Sequence, residues 1–135
     1  MGVSNYYRDI IMDTIMQRDA LTLPAVYYIS LCLTEPSATD TDITSDEVIY
    51  SNYVRQALSV TAGFGDAVNG SSANLLAVTF PTVGATGSTS IGYWAICDAS
   101  STGNLLWWGA ITTPSVLVTD DVPIMNIGDI VLSIS

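Results

Sequence analysis

Apolar and polar positions are patterned most clearly between Ile91 and Thr113. The run Ile91-Gly92-Tyr93-Trp94-Ala95-Ile96-Cys97 leads into a group of turn formers, and Leu105-Leu106-Trp107-Trp108-Gly109-Ala110-Ile111 follows it. Two apolar, aromatic-rich runs around a short polar stretch predict a β-hairpin whose loop is Asp98 to Asn104. Gly103 takes positive φ without steric cost, and Asn104 tolerates it better than most residues. All three tryptophans of the chain lie in this hairpin. Each can bury roughly 150–250 Å², so the hairpin is predicted to supply the centre of the core. Pro114 is expected to end its second strand.

A different period governs the start of the chain. Tyr7, Ile11 and Ile15 recur every four residues, Met12 and Met16 widen the stripe, and Asp9 and Asp13 lie opposite. This predicts an amphipathic helix over residues 4–18, with Ser4 or Asn5 as N-cap. Asp19 to Pro24 reads as a connector, since Pro24 disfavours helix in the residue before it. Residues 25–33 read as a strand with Tyr27, Ile29, Leu31 and Leu33 on one side and Val26, Tyr28, Ser30 and Cys32 on the other. Both sides are apolar enough to predict a central or covered strand. Further strands are predicted over residues 53–60, 75–80, 115–119 and 130–134, with loops at 62–74 and 83–90 rich in Gly, Ser and Thr. No helical pattern falls between strands, so βαβ units are not expected. The fold class that follows is mainly β: a single antiparallel β-sandwich, jelly-roll-like, with one N-terminal α-helix. Residues 1–24 then form the helix and connector, a candidate docking arm, and residues 25–135 form the sandwich domain.

Composition narrows the chemistry. The chain has 135 residues, 49 % of them apolar and only 12 % charged, with 13 acids against three arginines, no lysine or histidine and a net charge of −10. Phosphate-directed nucleic-acid binding needs a basic surface, so none is expected. Binding to an anionic membrane is not expected for the same reason, and no apolar run is long enough to span a bilayer. The first residues lack the pattern of a signal peptide. Cys32 and Cys97 each sit in an apolar run and read as buried free thiols. Without histidine or lysine, a Ser-His-Asp or Cys-His arrangement is impossible and the commonest general bases are missing. No enzyme activity and no cofactor are therefore expected.

Two polar features remain. Between Thr34 and Glu47 the chain carries Glu35, Asp40, Asp42, Asp46 and Glu47. The alternating oxygens of Asp40, Asp42, Thr44 and Asp46 suggest Ca²⁺, but Ser45 stands where an EF-hand needs glycine and Ser51 where it needs glutamate. A solvated acidic loop is the expected reading, with no metal. Arg55 is the one basic residue outside the helix region, and among apolar neighbours it needs an acidic partner. Glu47 or an aspartate of the acidic loop would supply it, making Arg55 and Glu47 a structural clamp.

Taken in order, the motifs resemble a family. Met1-Gly2-Val3-Ser4-Asn5-Tyr6 opens the chain, followed by Val26-Tyr27-Tyr28-Ile29-Ser30-Leu31, Thr34-Glu35-Pro36, Glu47-Val48 and Tyr53-Val54-Arg55-Gln56. Val78-Thr79-Phe80-Pro81, the run from Ile91 to Asp98, Gly103-Asn104-Leu105-Leu106, the run from Gly109 to Pro114, and Gly128-Asp129 complete the series. The chain resembles small bacteriophage virion proteins loosely labelled phage tail fiber protein. It departs from them in lacking lysine and in a longer acidic loop at 37–46.

The resemblance implies a β-rich structural part of a phage particle, assembled in the bacterial host cytoplasm. The first expectation is a head decoration (cement) protein, a homotrimer bridging major capsid subunits or touching other virion proteins. The second is a tail or fibre component contacting a host receptor through the loops at 62–74 and 83–90. The third, from another class, is a carbohydrate-binding β-sandwich in which a tryptophan stacks on sugar. Trp107 and Trp108, adjacent in a strand, point to opposite sides, which predicts one of them outward. Candidate partner contacts are Tyr7, Ile11, Ile15, Trp107 and Trp108.

Overall fold

The computed structural model describes residues 1–20, 22–84 and 89–134. Its centre is the predicted hairpin, β6 (Thr89–Cys97) with β7 (Leu105–Leu117), inside a five-stranded antiparallel sheet. The remaining strands are β1 (Gly2–Val3), β2 (Val26–Cys32) and β3 (Gln56–Ser59), in the order β1-β7-β6-β2-β3. Thus β2 is interior to the sheet, as its two apolar sides predict. The hairpin loop is closed by Asp98, whose carboxylate accepts hydrogen bonds from the Asn104 backbone N–H at 2.7 Å and side-chain Nδ2 at 2.8 Å. Thr102 and Gly103 supply the left-handed turn, with φ of 51° and 75°.

Strand β7 does not end at Pro114. It runs on to Leu117, absorbing residues expected to form a separate strand. The register explains this. Tyr93 pairs with Ala110 and Ile91 with Ser115, so residues 111–114 face Gly92 alone in a wide bulge. Pro114 lacks an N–H at a place where the ladder needs none.

The side chains of the sheet divide as strand alternation requires. One face carries Tyr27, Ile29, Leu31, Trp94, Ile96 and Trp107, with Ile29, Ile96, Trp107 and Val3 in register across four strands. Helix α1 (Asn5–Ile15) and two β-ribbons cover this face. One ribbon pairs β4 (Ser71–Ala73) with β9 (Val131–Ser133), and the other pairs β5 (Val78–Thr79) with β8 (Ile124–Met125). They bring Leu132, Val78 and Met125 into the same cluster, beside Phe80, Val83 and Ile130. The chain is therefore mainly β, with a second layer made of two ribbons. Asn74 joins the pieces: its Nδ2 donates to the carbonyls of Leu76 (2.8 Å) and Asn126 (2.9 Å), and its Oδ1 accepts from Ile130 N (2.9 Å). This bonding holds residues 75–76 off the strand path, so the strand expected over 75–80 shrinks to β5.

Helix α1 begins where predicted. Ser4 is its N-cap and accepts from Tyr7 N at 3.2 Å, while its own hydroxyl donates to the Leu105 carbonyl. The helix stops three residues early, at Ile15, and Gln17 turns left-handed with φ of 56°. The strand expected over 53–60 ends at Ser59, and a four-residue helical turn, α2 (Val60–Gly63), replaces its end. There the Gly63 carbonyl accepts from Leu75 N at 2.7 Å, turning the chain toward the ribbons.

Candidate functional site

The second face of the sheet carries small side chains, namely Ser30, Cys32, Ala95 and Cys97, together with Leu105 and Trp108. Its cover is the acidic segment 34–47. This segment is no free loop: Ile43 is 1 % exposed and packs in the same cluster as Cys32 and Trp108. Leu33 N donates to the Asp46 carbonyl at 2.8 Å, and Val48 N to the Leu31 carbonyl at 3.0 Å, closing the segment back onto the end of β2.

The structure brings Arg55 and Glu47 together at the edge of this cover. Arg55 Nε donates to Glu47 Oε1 at 2.9 Å and Nη2 to Oε2 at 2.7 Å, the two-point geometry of a planar guanidinium on a carboxylate. Arg55 Nη1 donates to the carbonyls of Ala99 (3.0 Å) and Thr102 (2.6 Å) in the β6–β7 loop. Tyr53 completes the group, donating to Glu47 Oε1 at 2.9 Å and accepting from Leu31 N at 3.1 Å. Burial alone would lower the Arg55 pKa, but the bonds to Glu47 outweigh it and hold it above its ordinary value. Burial, with the Glu47 charge beside it, pushes the Tyr53 hydroxyl up. Both Glu47 oxygens are engaged, and the cluster ties acidic segment, β2 and hairpin loop together.

Two other acids of the segment bond within their own turns, and Asp46 accepts from the Thr34 hydroxyl across it. Asp42 accepts from Thr44 N (2.9 Å) and Thr44 Oγ1 (2.6 Å), and these bonds hold its carboxyl below the usual carboxylate range. Asp40 accepts from Ser37 N at 2.7 Å. Among the described residues no three His, Cys, Asp or Glu side chains gather as a metal site would require. Cys32 and Cys97 are buried free thiols.

Of the five candidate contact residues, three are inside. Tyr7 is on the buried side of α1, with its hydroxyl 3.3 Å from that of Tyr27 and its ring edge-on to Trp107, centroids 4.6 Å apart. Trp107 and Trp108 do point to opposite faces, but both are buried, at 6 % and 7 % exposed. The expectation of an outward tryptophan is thus corrected. Alternation separated the two rings; it did not disclose that both faces are covered. Tyr7 and Tyr27 overlie Trp107, and the backbone of Gly2 lies on Trp108, where an added Cβ would come within 2.6 Å of the indole. Neither indole N–H has a hydrogen-bond partner among the described residues. A sugar platform built from these rings is not present.

Ile11 is half-buried and Ile15 is 68 % exposed. Met12 and Met16 are exposed beside them. Ile134 joins this outer face from the other end of the chain: with Val3, Arg8, Ile11 and Met12 it lines a recess of about 190 Å³. Sequence periodicity found the helical part; the approach of residue 134 is tertiary and leaves no local signal. Of the candidate receptor loops, 62–74 is absorbed in part into α2 and β4, whereas residues 85–88 of the 83–90 loop lie outside the described residues.

Among the described residues no helix is long and apolar enough to cross a membrane. No curated protein matches the chain. A family model does, over residues 2–133, which takes in α1, the whole five-stranded sheet and both ribbons. That model is Gp80, described as Podophage GP4 fiber I protein gp80, and the chain belongs to this family of phage fibre proteins, a structural component of the virion.

Proposed function

We propose that this chain is a non-enzymatic building block of a phage fibre, which works by adhering to copies of itself and to neighbouring virion proteins. The observation that carries the reading is the family match across residues 2–133. The architecture supports it. Both faces of the sheet are covered, Glu47 is engaged by Arg55 and Tyr53, and Asp40 and Asp42 of the 34–47 segment bond within their own turns. What remains on the surface is suited to contact. The family description names a fibre, which favours that location over head decoration on major capsid subunits. Self-association as a homotrimer and assembly in the host cytoplasm belong to the same proposal.

Gold-labelled antibody against the purified chain, applied to intact particles, tests the location. Label on the fibres is the expected result. Label spread over the head would replace the fibre reading by head decoration, and unlabelled particles would overturn a virion role.

A further inference from the structure

Strand β7 is longer than its neighbour on one side. Strand β1 pairs with it at Trp107 and Trp108 only, so from Gly109 to Leu117 that edge has no strand beside it among the described residues. Backbone N–H and C=O groups along such an edge are left to pair with something else. The bulge at 111–114 and Pro114 interrupt the edge, so a long flat strand cannot run its length. Beyond them the ladder is regular again, with Ser115, Val116 and Leu117 opposite Ile91, Ser90 and Thr89.

The chain after β7 leaves a gap along this edge. Asp121 N donates to the Val118 carbonyl at 3.1 Å, and Val118 N to the Asp121 carboxylate at 2.8 Å, so the chain reverses there. A hairpin would then zip its arms together. Here the arms belong to different layers: β7 pairs with β6, whereas the returning arm takes bonds from Val83 N to the Asp121 carbonyl (2.8 Å) and from Phe80 N to the Pro123 carbonyl (2.9 Å), and pairs β8 with β5. The seam between the arms holds two recesses of about 300 Å³ each, which share Ile111, Thr113, Ile124 and Met125 and so form one groove. Buried Leu31, Ile91 and Met125 line its depth, and Val116, Val122 and Ile124, each about half exposed, line it nearer the surface.

The charge of the groove has one sign. Asp121 lines one recess and Asp129 the other, and none of the three arginines lines either. Both carboxylates are held in place by turn N–H groups, Asp129 by that of Asn126 at 2.7 Å. An open strand edge calls for an extended backbone, the apolar depth calls for aliphatic or aromatic side chains, and the fixed aspartates call for cations. A second copy of this chain, at net charge −10, brings the wrong sign.

We propose that the seam between residues 111–117 and 121–126 is a docking groove for a short, extended segment of a neighbouring virion protein that carries apolar side chains flanked by arginine or lysine. The segment adds beside Ser115–Leu117 as a strand, seats its apolar side chains over Leu31, Ile91 and Met125, and sets its cations against Asp121 and Asp129. This names the partner chemistry for the adhesion proposed above and rests on that reading.

The probe is the end-capped peptide Arg-Val-Leu-Val-Arg, titrated into the full chain by calorimetry and by amide NMR shifts. Binding with shifts confined to 109–117 and 121–129 is expected. A peptide with glutamate in place of both arginines, and one with N-methylated backbone amides, should each bind about tenfold more weakly or worse, since one reverses the charge and the other removes the ladder donors. Thr113→Arg places bulk and a cation in both recesses at an exposed position and should weaken binding by a similar factor. Asp121→Asn with Asp129→Asn keeps an oxygen for each turn N–H while removing both charges, and should also weaken it; circular dichroism checks both folds. No binding of the basic peptide overturns the proposal. So do equal binding of the three peptides and indifference to both variants. Sedimentation of the chain without peptide reads the other occupant: assembly that Thr113→Arg abolishes assigns the seam to a second copy and overturns the proposed partner. Fibre labelling is read independently. Labelled fibres without peptide binding sink this groove alone, while peptide binding with label on the head sinks the fibre location alone.

Discussion

The two faces of the central sheet are closed by different physics. On one, Trp94, Trp107, Ile29, Leu31 and Ile96 meet α1 and two ribbons that carry Phe80, Met125, Ile130 and Leu132. At roughly 25 cal/mol per Å², one buried tryptophan there removes enough apolar area from water to contribute several kcal/mol. On the other face the residues are Ser30, Cys32, Ala95 and Cys97, and the cover is an acidic segment whose fully buried apolar side chain is Ile43. Small side chains bury little area. That cover is fastened instead by backbone bonds where it closes onto the end of β2 and by the guanidinium–carboxylate pair. A face rich in apolar area tolerates loss of a polar contact; a face poor in it does not.

The sharpest way to break the contrast is Glu47→Ala. It leaves the Arg55 guanidinium, whose side chain is 2 % exposed, buried without its counter-charge. Removing one partner of such a pair costs about 3–5 kcal/mol, measured here as the fall in urea unfolding free energy. Replacing both residues by methionine should cost much less than the sum of the two single losses, because no orphan charge remains. Hydrogen exchange sharpens the reading. The Leu33 and Val48 amides should lose protection in Glu47→Ala, while those of Ile29 and Ile96 keep theirs. Equal loss across all four would show that both faces depend on the clamp alike.

On the aromatic face the sensitive point is a glycine. Gly109 lies beneath the Trp94 ring, and a Cβ added there would stand 2.5 Å from Trp94 Cζ2. Gly109→Ala therefore overpacks a closed site and should cost about 1–3 kcal/mol, read as a lower melting temperature. The acidic cover should stay protected in this variant. A neutral outcome would mean that the aromatic face yields more readily than its packing implies.

These differences track what was legible in the chain. Strand alternation separated Ile29 and Leu31 from Ser30 and Cys32, and the four-residue spacing from Tyr7 to Ile15 with Ser4 before it located the helix. Both signals are local and repeat several times. The two-residue strands β1, β5 and β8 are too short to carry a period, so their pairing follows from tertiary contact alone. Pro114 read as a terminator because a proline removes an N–H, but the bulge opposite Gly92 made that N–H unnecessary. The acidic segment read as solvated because its sequence is polar, yet Ile43 turns it into a cover. Arg55 was legible as a residue in need of an acid; its reach to the Ala99 and Thr102 carbonyls was not, since those groups carry no side-chain signature. The outward helix stripe was visible at Ile11 and Ile15, whereas Ile134 reaches it from the other end of the chain.

The smallest expected effect again separates the faces, through pH. Burial pushes the Cys97 thiol up to about 12, from an ordinary 9.0. The folded state thus holds this proton more tightly than the unfolded chain does. The stability tied to it is complete below pH 9 and is lost as pH rises toward 12. Between pH 8 and pH 10 the loss from this one thiol is about 1 kcal/mol. Cys97→Ala should therefore flatten the alkaline limb of the stability profile by about that amount. Ellman's reagent gives the parallel readout, with no reaction in the native protein at pH 8 and two thiols titrated after unfolding. Rapid native labelling would mean that the acidic cover opens on its own while the aromatic face stays shut, and the polar ties would then be weaker than their geometry implies.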